Sequence, residues 1–261
     1  MMTLRQPAVA GLFYPADLVA LQTQIQNFFK TIGTGGSPPK AIIAPHAGYR
    51  YSGPVAASAY ATLQKVQERI HRVILLGPSH RIPFYGIATS QVEGFATPLG
   101  IVPVNENDLQ LALTLPQVRI LDESHALEHS LEVQLPFLQE TLGDFSLVPL
   151  VVGQTSPKQV KEVLDLFWDS KETLIIVSSD LSHYHDYATA QQLDRATTKA
   201  IEVLQPEVIH PEQACGYIPM GGLLMAARER GLHGTTLDLR NSGDTAGSRD
   251  QVVGYGAYVF Q

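Results

Sequence analysis

The hydrophobic pattern changes period several times along the chain. Leu18, Leu21, Ile25 and Phe28 recur at spacings of three and four, which predicts a helix over residues 18–29. Residues 33–39, Gly-Thr-Gly-Gly-Ser-Pro-Pro, then break the pattern and read as a connection, since the Lys-Ser/Thr ending of a phosphate loop is missing. Four short unbroken apolar runs follow, at residues 41–44, 73–76, 147–152 and 174–177. Pro149 weakens the third run or places it near a sheet edge. Runs without alternation suit strands covered on both faces, so the central sheet is expected to be parallel or mixed. Residues 54–63, rich in alanine, are helix-compatible. Ser156, Pro157 and Gln159 supply an N-cap, a proline at the first helical position and a capping-box partner, ahead of Val160, Val163, Leu164 and Phe167. A further helix is predicted over residues 187–204, with Leu193, Ala196, Ala200 and Leu204 on one face, and a strand over residues 252–260. Together these elements describe a single α/β domain over residues 1–261, with helices on both faces of the sheet.

Three of the strands run into polar residues at their carboxyl ends. The first leads to Pro45-His46-Ala47-Gly48-Tyr49, the second to Gly77-Pro78-Ser79-His80, and the run at 174–177 to Ser178-Ser179-Asp180-Leu181-Ser182-His183. Parallel strands bring such ends to one rim, where open α/β sheets bind ligands. A lone histidine after a strand is more often a loop hydrogen-bonder than a ligand. His46 and His80 share the context of strand, proline and then histidine, and two imidazoles at one rim suit a transition metal. Asp180 and His183 fit three roles equally: ligands, supports of ligands, or a general acid/base pair.

Cys215 precedes Gly216 and a helical run at residues 223–230; a helix N-terminus there favours thiolate, a good ligand, against the inert buried thiol that free cysteine usually is. Glu128-His129-Ser130-Leu131-Glu132 is expected to open an amphipathic helix reaching Leu138. His125 and His129, four apart, form only a loose likeness to a zinc pair. Tyr49 and Tyr51 are candidate pocket-lining aromatics, while His71, His185, His210 and His233 lack strand-end context and read as surface or structural residues.

Composition narrows the partners. With 44% hydrophobic and 16% charged residues, the chain can bury a large core. A net charge of −7 with no Lys/Arg run disfavours nucleic acid. No apolar stretch is long enough for a membrane helix, the first 14 residues carry no secretory apolar region, and one cysteine implies no disulfide framework. The expected setting is a soluble protein of the cytoplasm, without membrane or nucleic-acid partners.

The ordered set Gly11-Leu12-Phe13-Tyr14-Pro15, Ala44-Pro45-His46-Ala47-Gly48-Tyr49, Gly77-Pro78-Ser79-His80, Glu128-His129-Ser130-Leu131-Glu132, Ser178-Ser179-Asp180-Leu181-Ser182-His183 and Cys215-Gly216 resembles the Memo family, including AmmeMemoRadiSam system protein B. The resemblance spans nearly the whole chain. It implies a fold like that of class III extradiol dioxygenases, in which two histidines and a carboxylate hold iron(II) and another histidine handles protons. Carried over, His46 and His80 match the two histidines, His183 the proton-handling one, and Cys215 stands in place of the carboxylate. Thiolate is softer, so copper or zinc competes with iron as the implied metal. On this likeness Asp180 orients His183 or meets substrate, and Tyr49, Glu128 and His129 belong to the substrate pocket or support the ligands. A radical-SAM protein and an AMMECR-type protein are implied as partners, with an unknown small molecule as substrate. Two other functions compete with a metal-dependent oxidoreductase. One is a non-catalytic module that binds a ligand or peptide in the same pocket. The other is a hydrolase using Ser178 or Ser179, which lacks the Gly-x-Ser-x-Gly elbow.

Overall fold

A computed structural model describes residues 2–32 and 38–261. Most of the glycine-rich connection at residues 33–39 lies outside the described residues. The strands are β1 (Leu4–Arg5), β2 (Ala41–Ala44), β3 (Arg72–Pro78), β4 (Ile87–Thr89), β5 (Gly94–Thr97), β6 (Gly100–Pro103), β7 (Val118–Ile120), β8 (Ser146–Val152), β9 (Thr173–Ser178), β10 (His183–His185), β11 (Gly234–Asn241) and β12 (Val252–Phe260). The helices are α1 (Leu18–Lys30), α2 (Tyr49–Tyr60), α3 (Glu106–Ala112), α4 (Asp122–Ala126), α5 (Leu135–Leu142), α6 (Pro157–Asp165), α7 (Tyr187–Glu202), α8 (Tyr217–Glu229) and α9 (Ser242–Thr245). Among the described residues no helix is long and apolar enough to cross a membrane.

The central sheet is mixed, in the order β10-β12-β2-β9-β3-β8-β4-β7, with β11 paired to β12. Its middle, β2-β9-β3-β8, is parallel, and antiparallel neighbours flank it at β12 and β4. Successive side chains of one strand enter two different cores. Ile42 and Ala44 pack with Leu21, Ile25, Val55 and Tyr60 on one face, while Ala41 and Ile43 pack with Val160, Leu164, Leu223 and Leu224 on the other. A strand wetted on one face would alternate; these are apolar at every position because helices cover both faces. A small second sheet, β1-β5-β6, adjoins this core.

Four local expectations are corrected. β8 is an interior strand despite Pro149, because β4 joins it only at Val151 and Val152; the missing N–H faces no ladder partner there. α2 begins at Tyr49, earlier than residue 54, and carries Pro54 in its interior, where the ring removes one helical hydrogen bond. The helix expected from Glu128 begins at Leu135, after a 3-10 turn at Glu132–Gln134. Pro136 favours a first turn, and the Glu128 carboxylate captures the His129 and Ser130 N–H groups instead of letting a helix form. α7 buries Asp194, Thr197 and Thr198 along with Ala200 and Ile201, whereas Ala196 is exposed. Its polar residues face inward because they have partners: Asp194 accepts the Ser182 N–H at 3.0 Å, and Thr198 bonds the Tyr258 hydroxyl at 2.7 Å.

Elsewhere the local signals agree with the structure. α6 carries the capping box of Ser156 and Gln159 with Pro157 in its first turn. α8 lies against α6 so closely that a Cβ at Gly222 would stand 2.5 Å from Val160 Cγ1. That contact sets the position of α8 and of the loop before it, which carries Cys215.

Candidate functional site

Strand order builds the site. β9 lies between β2 and β3, so the residues that follow it stand between the two histidine loops. His46 follows β2, His80 follows β3, and Ser178 and Asp180 come from the end of β9. Cys215 enters from the α8 side. The Gly216 N–H donates to Ser179 Oγ at 2.9 Å, and a Cβ on Gly216 would stand 2.7 Å from Ser179 Cβ, so only glycine lets this loop reach the strand end.

Ligand atoms of His46, His80 and Cys215 all lie within 4.8 Å of one another. Cys215 Sγ is 3.3 Å from His46 Nε2, and the His46 and His80 rings meet edge-on with centroids 5.1 Å apart. The opposite side of each imidazole is occupied. His46 Nδ1 is 2.9 Å from Ser178 Oγ, and His80 Nδ1 is 2.9 Å from Glu128 Oε1. Each ring is thus held at Nδ1, with Nε2 free for a ligand role, the arrangement that metal-binding histidines commonly use.

Glu128 is a hub. Its carboxylate also accepts the backbone N–H groups of His80 at 2.6 Å and of His129 and Ser130 at 3.0 Å each. Burial would raise its pKa, but the His80 and backbone hydrogen bonds outweigh that and hold it down to about 2. His129 stacks on His80 with centroids 4.7 Å apart, lies 5.5 Å from His46, and packs under Phe13 at 4.8 Å. A second group of possible ligand atoms, from His80, Glu128 and His129, also falls within 4.8 Å. Burial lowers the His129 pKa to about 4 and pushes that of His46 well below its ordinary value, with neighbouring imidazoles adding to the latter. Both rings are neutral at pH 7, as ligation requires.

The structure redistributes several expected roles. Asp180 is buried and accepts the His46 N–H at 2.7 Å, so it clamps the loop carrying His46 in place of orienting His183. Burial raises its pKa to about 7. His183 opens β10, is half-buried, and lies near His46 and His80; burial lowers its pKa, and the Leu181 carbonyl opposes that shift. Tyr49 does not line the site. It is buried against Tyr14, Phe28 and Phe137, and its hydroxyl donates to the Val133 carbonyl at 2.7 Å. His125 belongs to a different place, with Nε2 3.1 Å from the Ala88 carbonyl.

The Cys215 thiol is corrected in its resting state. α8 starts at Tyr217, two residues later, and the helix end does not dominate. Burial pushes the thiol up to about 12, with the Asp180 charge adding to the shift, so the metal-free protein holds a neutral thiol. A bound cation is what would ionise it. Both serine hydroxyls have carbonyl partners: Ser178 Oγ donates to the Ser130 carbonyl at 2.5 Å and Ser179 Oγ to the Asp180 carbonyl at 2.7 Å. Ser178 is a support of His46 that sequence reasoning missed, although its place at the end of a central strand was a usable signal. Gln134, which donates to Ser178 Oγ at 2.8 Å, carried no local signal.

Comparison with known proteins gives one consistent answer. A family model described as Memo-like protein matches residues 5–259. A MEMO1 family protein of Methanosarcina acetivorans is 37% identical over 100% of both chains. One from Methanopyrus kandleri is 35% identical over 98% of this chain and 99% of its own. One from Thermotoga maritima is 36% identical over 96% and 97%. Among solved structures, an uncharacterized protein from Escherichia coli K12 shares the fold, with a TM-score of 0.55 at 14% identity over 82% of this chain and 98% of that one.

Proposed function

The chain belongs to the Memo family, and on that premise we propose that it carries a mononuclear metal centre held by His46, His80 and Cys215, which serves a metal-dependent oxidoreductase acting on a small molecule. The observation that carries the reading is the pairing of two imidazoles, each occupied at Nδ1, with a thiol close to both. Two nitrogens and one sulfur fit a late first-row ion; iron(II) is our first assignment, with copper and zinc as competitors. When bound, iron would supply redox chemistry toward dioxygen, as the likeness to class III extradiol dioxygenases suggests.

The chain's own residues have separable tasks. Ser178 and Glu128 hold the two rings, and Asp180 holds the backbone that presents His46. Ionised Cys215 would contribute the negative charge that a carboxylate supplies in the oxygenase triad. His183, neutral and beside the cluster, would take a proton from substrate on its ring and return it later. His129 and Phe13, with ring centroids 4.8 Å apart, would be the aromatic surface offered to a substrate ring.

Metal analysis of protein purified anaerobically without an affinity tag tests this reading. A single ion per chain is expected, lost in His46→Ala and His80→Ala and retained in His183→Ala. Loss in His183→Ala would make His183 a ligand. A parent that neither retains nor binds any metal would leave the non-catalytic binding module as the function.

A further inference from the structure

A buried chain of hydrogen bonds runs from the core to His46, and each bond in it has only one possible direction. Tyr60, Gln134, Ser178 and Ser130 are all fully buried, with His46 at its end. Gln134 Nε2 lies 3.0 Å from the Pro45 carbonyl, which only accepts, so the amide NH2 points that way. Gln134 Oε1 then accepts from the Tyr60 hydroxyl at 2.7 Å. The same NH2 donates to Ser178 Oγ at 2.8 Å. Ser178 also contacts the Ser130 carbonyl at 2.5 Å, and its single proton must go there, because a carbonyl cannot donate. The remaining contact of Ser178 Oγ is His46 Nδ1 at 2.9 Å, and the hydroxyl has only a lone pair left to offer.

We propose that Ser178 is a positioning residue that fixes the tautomer of His46, holding the neutral ring with its proton on Nδ1 and a bare lone pair on Nε2 toward Cys215. The tautomer of an imidazole is set by whatever its other nitrogen is bonded to. Here that partner is itself committed by Gln134 and Ser130. The facing group agrees: Cys215 Sγ, 3.3 Å from Nε2, can donate its S–H to that lone pair. A ring in this tautomer meets an incoming ion with no proton to lose and no rotation to make. The consequence for metal affinity rests on the metal-centre reading; the tautomer does not.

The test is nitrogen-detected histidine NMR of metal-free, 15N-labelled protein at neutral pH, with His46 assigned by its missing signals in His46→Gln. The parent is expected to show a protonated Nδ1 and a bare Nε2. In Ser178→Ala the proton moves to Nε2 in part of the molecules, the Ser178 main-chain contact with the ring remaining in place. In Tyr60→Phe, which removes a buried hydrogen bond from the same chain but leaves the Pro45 carbonyl to orient Gln134, the parent pattern persists. A parent with its proton on Nε2 overturns the proposal, whether or not the variants fold. An unmoved proton in Ser178→Ala, or an equal shift in Tyr60→Phe, also overturns it. Cobalt(II) titration separates the two claims. Ser178→Ala should bind it about 10–100-fold more weakly, the usual cost of losing such a support. Failure of cobalt(II) to bind the parent sinks the metal reading alone, because the NMR pattern decides the tautomer by itself.

Discussion

Glu128 and Glu132 stand one helical turn apart in sequence, both buried, and they anchor two different kinds of polar cluster. Around Glu132 the carboxylate and its direct partners are closed on one another. Its carboxylate takes the Arg5 guanidinium, the Tyr14 hydroxyl at 2.6 Å, and the Ala8 and Val9 N–H groups at 2.8 and 3.0 Å. Arg5 gives two further donors to the His125 and Glu128 carbonyls. Around Glu128 the bonding stops short. Its carboxylate secures His80 and the backbone, but the far sides of His46 and His80 and the Cys215 sulfur face one another, and His129 Nδ1, 3.4 Å from Glu128 Oε1, has no hydrogen-bond partner among the described residues. A buried cluster that serves only the fold satisfies its groups. One that leaves several lone pairs converging has a further use for them, and this difference separates the two carboxylates more sharply than burial or charge does.

The comparison breaks most readily at Glu132. Glu132→Ala leaves the Arg5 charge buried and unpaired, so chemical denaturation should show a loss of about 3–5 kcal/mol. Metal affinity of the folded fraction should stay at the parent value; a parallel collapse of metal binding would merge the two clusters into one.

Asp194 sharpens the contrast as a buried carboxylate without a cationic partner. Burial raises its pKa to about 6 against the Ser182 N–H and His185, which pull the other way. A folded pKa above the unfolded one means the native state holds its proton more tightly. The stability this contributes is fully present below the unfolded carboxylate range near pH 4 and is lost as pH rises through about 6. Asp194 alone should therefore cost metal-free protein up to about 3 kcal/mol over that window, read as the difference between the parent and Asp194→Asn profiles, because buried His46 and His129, neutral in the folded state, gain stability over the same window. A profile of unchanged slope in the variant would assign the pH dependence to other groups.

Glu128→Gln should have the smallest energetic effect and the most selective one. Cobalt(II) affinity is expected to fall about 10–100-fold, or about 1.4–2.7 kcal/mol, as the support of His80 weakens. If affinity is unchanged while stability falls as far as in Glu132→Ala, Glu128 is a structural carboxylate too.

The strands and the two rim histidines were legible because each depends on local pattern: unbroken apolar runs for β2, β3, β8 and β9, and polar residues directly after them. Of their supports, Glu128 entered through the family resemblance, and Ser178 did not enter as a support of His46 at all. Ser178 reaches His46 only because β9 lies between β2 and β3, and strand order is not written in any local run. Gln134 and Tyr60 arrive from other elements, and their contact depends on packing alone. The misplaced starts of α2 and α5 have a related cause. Side chains such as Glu128 take backbone N–H groups that a period-based reading assigns to a helix. Cys215 was singled out for its position, but its protonation follows from burial, which sequence position does not reveal.

The central claim is that the convergent lone pairs form a metal centre that includes sulfur. Cobalt(II) or copper(II) should be added to metal-free protein and the absorption spectrum recorded for the parent and for Cys215→Ser. The account predicts a sulfur-to-metal charge-transfer band in the parent that is absent from the variant; coincident spectra would contradict it.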